Sequence, residues 1–282
     1  MLDPTDYIDV DRYPVDQPGT DAFRQMIASI QSELDHDGCA VLKGFVKAEK
    51  LPALVAEADD AAPHAHNSKN RTNAYFSQDD ESLDPSHPRR RFYDRSNAFI
   101  PADNFGDDSA LRAIYEWPPF FDFVREVLEE PEEKFFRYAD PLADVIVNMA
   151  GEGNGFPWHF DTNNYTVTLA IQNADEGGDF EYAADIRKGD ENFDTVREVL
   201  DGTSDKVTSL KLEPGDLQIF KGRYSLHRVA PLKGDTPRYV AIFSYVDEPG
   251  MVGSPERTKQ LYGRVLPIHL ERAGLRADSY MD

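Results

Sequence analysis

The chain has 282 residues, 40% hydrophobic and 29% charged, with a formal net charge of −22 and a single cysteine. That composition supports a sizeable core, and the acidity opposes phosphate backbones, which argues against nucleic acid as a partner. The lone Cys39 excludes an internal disulfide and any thiolate-rich zinc or iron–sulfur site.

The N-terminal stretch MLDPTDYIDVDRYP lacks the basic start and apolar run of a secretory signal, and no apolar run matches a membrane span. A cytoplasmic protein without a membrane partner is expected; nothing specifies an oligomeric state. Phe23, Met26, Ile27, Ile30 and Leu34 share one helical face, with Thr20 as N-cap and Gly38 as stop. DGCAVLKGFV, residues 37–46, reads as a short buried strand and a turn. Leu51, Leu54, Val55 and Ala58 mark a second helix. From Pro63 to Gly106 the periodicity is lost, and this polar, aromatic stretch with Arg89, Arg90, Arg91 and Arg95 reads as an irregular lid or binding loop. Helical spacing returns with Leu111, Ile114 and Tyr115, then with Phe120, Val124, Val127 and Leu128.

The second half changes character. Strands are predicted over 144–150, 165–172, 180–183, 207–212, 216–220 and 238–245, separated by turn signals such as GEGNG and EGG. Phe193, Val196, Val199 and Leu200 mark a helical insertion, and Ser254–Pro255 with Gly263 bounds a last helix. Many short strands at close intervals suggest an antiparallel sandwich or jelly roll. The expected layout is one domain over 1–282. Residues 1–142 form mainly helical support and the irregular substrate loop, 143–246 a β-roll core, and 247–282 a C-terminal helix and tail.

His159 and Asp161 are two apart before a β-type run, so an extended backbone aims both at one point. Alone, the pair also fits an ordinary polar strand end. A third ligand changes that reading, and His227 in PGDLQIFKGRYSLHRVAP offers one, on a strand returning to the facing side of a roll. His64, His66 and His87 read as exposed, His36 ends a helix and His269 lies in the tail. Two histidines and one carboxylate are the donor set of non-haem iron(II) oxygenases, leaving three coordination positions open. A bidentate 2-oxo acid and dioxygen can fill those positions. A dicarboxylic co-substrate then needs a buried cation for its far end, and Arg238 opens the otherwise apolar strand RYVAIFSY. The plainer reading of Arg238 is a rim residue with its stem packed on the sheet.

Taken in order, DGCAVLKGFV, HFD, EGGDFEY, PGDLQIFKGRYSLHRVAP and Arg238 resemble the iron(II)/2-oxoglutarate-dependent dioxygenase superfamily. Residues 137–187 are similar to a narrower bacterial group, the hydroxylases and halogenases of free amino acids. The resemblance implies a mainly β, α+β fold: a double-stranded β-helix, or cupin-like jelly roll, with N-terminal supporting helices. It implies Fe(II), 2-oxoglutarate and O2, with His159, Asp161 and His227 on the metal and Arg238 on the distal carboxylate. Halogenases of that group have glycine where Asp161 stands, so hydroxylation of an unactivated C–H of a small polar metabolite, a free amino acid or derivative, is expected. Succinate and CO2 would be released. The same chemistry can end in desaturation, cyclisation or epimerisation, and a β-roll binding metal or sugar without catalysis is the reading from another class. Asn148 and Thr168 are candidates for the co-substrate side, with Thr166 and Gln172 on the same strand face as Thr168. Arg95, Arg91, Thr162, Asn164 and Trp158 are candidates for contact with a small-molecule substrate.

Overall fold

The chain alternates short strands with helices packed on one side. The computed structural model describes residues 2–162 and 165–272. In order, the main elements are α1 (Asp21–Asp37), β1 (Cys39–Leu42), α2 (Leu51–Ala61), β2 (His66–Thr72), β3 (Tyr93–Ile100), α3 (Ala110–Glu116), α4 (Pro118–Val127), β4 (Phe136–Arg137) and β5 (Val145–Ala150). Then follow β6 (Phe156–His159), β7 (Tyr165–Gln172), β8 (Glu176–Gly177), β9 (Phe180–Ala183), α5 (Phe193–Asp201), β10 (Thr208–Leu210), β11 (Leu217–Phe220), β12 (Leu226–Val229), β13 (Leu232–Lys233), β14 (Arg238–Val246), α6 (Pro255–Tyr262) and α7 (Pro267–Glu271).

The larger sheet runs β1-β11-β7-β14-β5-β3-β2, with β4 on β14, and the smaller runs β10-β9-β12-β6. Every pairing is antiparallel. The result is the jelly roll expected from the strand spacing. Period-2 alternation decides what each face of the larger sheet does. Val167, Leu169, Ile171, Leu217, Ile219, Tyr239, Ala241 and Tyr245 point to the main core, where α1, α2, α3 and α4 bring Phe23, Leu54, Leu111 and Phe123. The other face of the same strands carries Thr166, Thr168, Gln218, Val240 and Ile242 into a cavity. The helices thus seal one side of the sheet and leave the other for the site.

The caps behave as predicted. The Thr20 hydroxyl accepts from the Phe23 amide at 3.2 Å, α1 ends at Gly38, and Ser254 caps α6.

The expected irregular stretch over 63–106 needs correction. It contributes β2 and β3, a hairpin paired over seven residues, and β3 joins the larger sheet through β5. β2 reads HNSKNRT, with no apolar residue, because it is an edge strand with one neighbour. His66 and His87, expected to be exposed, are half-buried, and only His64 is exposed. His269, expected in the tail, is fully buried on α7 and bonds Asp140 at 3.0 Å. Among the described residues no helix is long and apolar enough to cross a membrane.

Candidate active site

β6 and β12 pair so that His159 and His227 stand directly opposite each other. Beyond β6 the chain turns, and the Asp161 amide donates to the Gly222 carbonyl. This brings one carboxylate oxygen, Asp161 Oδ1, to 3.5 Å from both His159 Nε2 and His227 Nε2. The three donor atoms lie within 4.8 Å of one another. The other oxygen, Oδ2, accepts from the Thr166 hydroxyl, so the carboxylate is oriented from behind. A side chain at Gly222 would collide with Asp161 and Thr166, its Cβ only 2.0 Å from Oδ2, so the site requires glycine there.

Each imidazole is also fixed in its tautomer. His159 Nδ1 donates to the Pro157 carbonyl at 2.8 Å, and His227 Nδ1 donates to the Ser225 carbonyl at 2.9 Å. With Nδ1 committed to a carbonyl in each ring, both Nε2 atoms are turned toward Asp161. Burial, with His227 alongside, pushes His159 down to about 3, so it is neutral at neutral pH. Burial alone would raise Asp161; the imidazoles that face it hold its carboxyl well below the usual range. Two imidazoles and one carboxylate converging in a buried pocket are a donor set that fits ferrous iron.

The cavity encloses about 190 Å³ beside these three residues. Arg238, Asn148 and Thr168, expected on the co-substrate side, all line it. Arg238 is buried, and no hydrogen bond or ion pair joins its side chain to any described residue; burial pushes its guanidinium down to about 10. An unpaired buried cation at a cavity wall is a site for an anion. Thr168 donates to Gln218 Oε1 at 3.0 Å, and Asn148 Nδ2 to the Ala98 carbonyl at 3.4 Å. Thr166 also lines the cavity, whereas Gln172 leaves it and donates to the Pro237 carbonyl at 2.8 Å.

The residues expected at the substrate divide. Arg95 and Thr162 line the cavity. Arg91 is not in it: the side chain reaches Asp201 at 2.5 Å. Trp158 is not in it either. With His159 turned inward, its strand neighbour faces outward, and the indole packs in a separate cluster with the Arg228 guanidinium 4.8 Å from its ring. Asn164 lies outside the described residues. Sequence reasoning missed Phe76, Gln218, Arg257 and Tyr262, which also line the cavity. Gln218 was accessible through the alternation of β11; Arg257 and Tyr262 were on a predicted helix whose packing side carried no signal.

This fold and donor set define an iron(II)/2-oxoglutarate oxygenase, and the comparisons agree. The family model described as Halogenase D matches residues 23–253, and the chain belongs to that family. No curated protein matches the sequence. Among solved structures the chain is similar to the epimerase SnoN of nogalamycin biosynthesis, in complex with Fe3+, alpha ketoglutarate and nogalamycin RO. The identity is 14%, over 90% of this chain and 93% of that one, with a TM-score of 0.56. It is also similar to HygX from Streptomyces hygroscopicus with nickel, 2-oxoglutarate and hygromycin B bound. Here the identity is 11%, over 78% and 86% of the two chains, with a TM-score of 0.52. At these identities the likeness is one of fold.

Proposed function

We propose that the chain hydroxylates an unactivated C–H of a small polar metabolite, an amino acid or derivative, and that His159, Asp161 and His227 hold the iron. The observation that carries this reading is the carboxylate of Asp161, turned onto both imidazoles by Thr166. With Asp161 as a third protein ligand, the site would hold iron(II) together with 2-oxoglutarate; the halogenases that the sequence resembles lack that ligand. When bound, iron(II) with 2-oxoglutarate and dioxygen supplies the oxidising power that breaks the C–H bond, with succinate and CO2 as by-products.

The protein's part is positioning. Arg238 takes the distal carboxylate of 2-oxoglutarate, on a wall completed by Thr168, Gln218 and Asn148. Arg95 takes a carboxylate of the substrate. Phe99, Phe156, Ile146 and Ile242 exclude water from the reacting carbon. Anaerobic addition of iron(II) and 2-oxoglutarate should give a weak visible charge-transfer band, and admission of oxygen should then yield succinate. Absence of both the band and succinate would sink the reading.

A further inference from the structure

Three buried side chains join the cavity wall to the edge of the larger sheet. Thr168 on β7 and Gln218 on β11 both line the cavity, and they stand directly opposite each other in register. The Thr168 hydroxyl donates to Gln218 Oε1 at 3.0 Å, and Gln218 Nε2 donates to Cys39 Sγ, on β1, at 3.3 Å. Gln218 and Cys39 are each 2% exposed, so bulk water does not compete for these bonds. Burial pushes the Cys39 thiol up to about 12, and it keeps its proton at neutral pH.

Thr168 holds a middle place along the cavity. Thr166, two residues back, bonds Asp161 at the metal end; further on, Gln172 pairs with Tyr239, beside Arg238 at the start of β14. A co-substrate chelated at one end and held by the buried Arg238 at the other passes Thr168. With its one proton on Gln218, however, the hydroxyl offers the cavity lone pairs alone, and these repel a carboxylate. To donate to a carboxylate it must release Gln218 Oε1, and a buried amide oxygen left without a donor is costly. A half-turn of the Gln218 amide removes that cost. Nε2 then donates to Thr168 Oγ1, Oε1 faces Cys39, and the thiol S–H donates to it. The group at position 39 must accept in one arrangement and donate in the other, and a protonated thiol does both.

Resting on the reading of this wall as the 2-oxoglutarate site, we propose that Gln218 and Cys39 are positioning residues, which together turn the Thr168 hydroxyl from acceptor to donor when the carboxylate enters. The change reverses every hydrogen bond in the row, and each proton stays on its own atom.

Infrared spectroscopy tests this directly, because Cys39 is the only cysteine and its S–H stretch is an isolated reporter. The full chain with manganese(II) is titrated with 2-oxoglutarate. The stretch should move to lower frequency as the co-substrate binds and the thiol becomes a donor. In Thr168→Val, where no hydroxyl links Gln218 to the cavity, it should stay in place. Affinity gives a second readout. Cys39→Ala should weaken 2-oxoglutarate about 5- to 10-fold, and Cys39→Ser, which can accept and donate, should hold it within about twofold of the wild type. In a Thr168→Val background Cys39→Ala should cost nothing further. A stretch that does not move while the wild type binds 2-oxoglutarate overturns the proposal. So does a Cys39→Ala loss of equal size with and without the Thr168 hydroxyl, which would mark lost packing. The wild-type spectrum decides the matter even if a variant does not fold. A wild type that fails to bind 2-oxoglutarate at all would sink the co-substrate reading and the proposal with it; binding with a silent thiol sinks the proposal alone.

Discussion

Replacing Arg238 with methionine should make the empty protein more stable and deprive it of its response to 2-oxoglutarate. Burial pushes the guanidinium well below its ordinary range, to about 10. Each tenfold in a protonation equilibrium is worth about 1.4 kcal/mol, so holding Arg238 charged costs the fold ~3 kcal/mol. The group is charged in both folded and unfolded chains below about pH 10, so the cost is constant at neutral pH and is relieved only as pH rises beyond that. Methionine keeps most of the apolar stem, and allowing ~1 kcal/mol for lost packing leaves a net gain of ~2 kcal/mol. For a chain of this size that is a rise of about 4–8 °C in Tm. The ligand response should move the other way. A 2-oxoglutarate concentration of 100 times Kd stabilises the wild type by ~2.7 kcal/mol; a variant bound ~100-fold more weakly gains ~0.4 kcal/mol. Thermal unfolding of both proteins, with and without 2-oxoglutarate and manganese(II), measures the two effects together. A variant that melts at or below the wild type without ligand would refute the argument from the unpaired charge. One that keeps its ligand shift would refute the assignment of the carboxylate.

Thr166→Val removes the hydroxyl behind Asp161 and should cost about 10- to 100-fold in iron affinity or turnover, read by metal titration and succinate release; an unchanged metal affinity would show the hydroxyl to be idle. Asp161→Gly vacates the carboxylate position, and hydroxylated product should fall at least ~100-fold by mass spectrometry, because one of three metal ligands is gone; hydroxylation at wild-type rate would count against Asp161 as a ligand. His159 is held down to about 3 against an ordinary 6.5, so its contribution to stability is present above pH 6.5 and is lost as pH falls through that window toward 3. Urea unfolding of the metal-free protein should show the wild type losing ~2–3 kcal/mol more than His159→Gln between pH 7 and 4.5, and parallel slopes would contradict it. Trp158→Phe should leave kcat and KM within about twofold while costing ~1 kcal/mol of stability, since the indole packs away from the cavity; a large rise in KM would put the ring back at the substrate.

The β core could be read from residues because its two demands coincide there. In β7 and β14 one face must be apolar for the helices, and the other carries Thr166, Thr168 and Arg238, so alternation and site chemistry tell the same story. His159 and His227, far apart in sequence, could be paired because a returning strand brings them into register. The β2–β3 hairpin could not be read, since there the demands conflict. Arg95 and Asn97 occupy the buried face of β3, and the buried positions of β2 are the polar Ser68 and Thr72. A strand whose inward positions are spent on recognition loses the apolar alternation by which strands are found. The misassignment of Trp158 has a simpler origin: adjacency to His159 in sequence is opposition in a strand. Arg91 and Arg95 were indistinguishable in composition, and only pairing settles them, with Arg91 on Asp201 and Arg95 inside the cavity.

The proposed roles of Arg238 and Arg95 would let so acidic a chain select anions. A net charge of −22 spread over the surface is screened within about 8–10 Å at ordinary ionic strength, so it imposes little on a ligand already inside the roll. Two buried guanidinium groups act at contact range in a poorly screened interior, and each still has donors to give. The fold is therefore under most strain when empty, because both cations are desolvated and, among the described residues, neither has a carboxylate hydrogen-bonded to it. Each carboxylate that enters removes part of that strain. Co-substrate and substrate should thus stabilise the protein cumulatively, and binding energy for the reaction comes from relieving a cost that folding has already incurred.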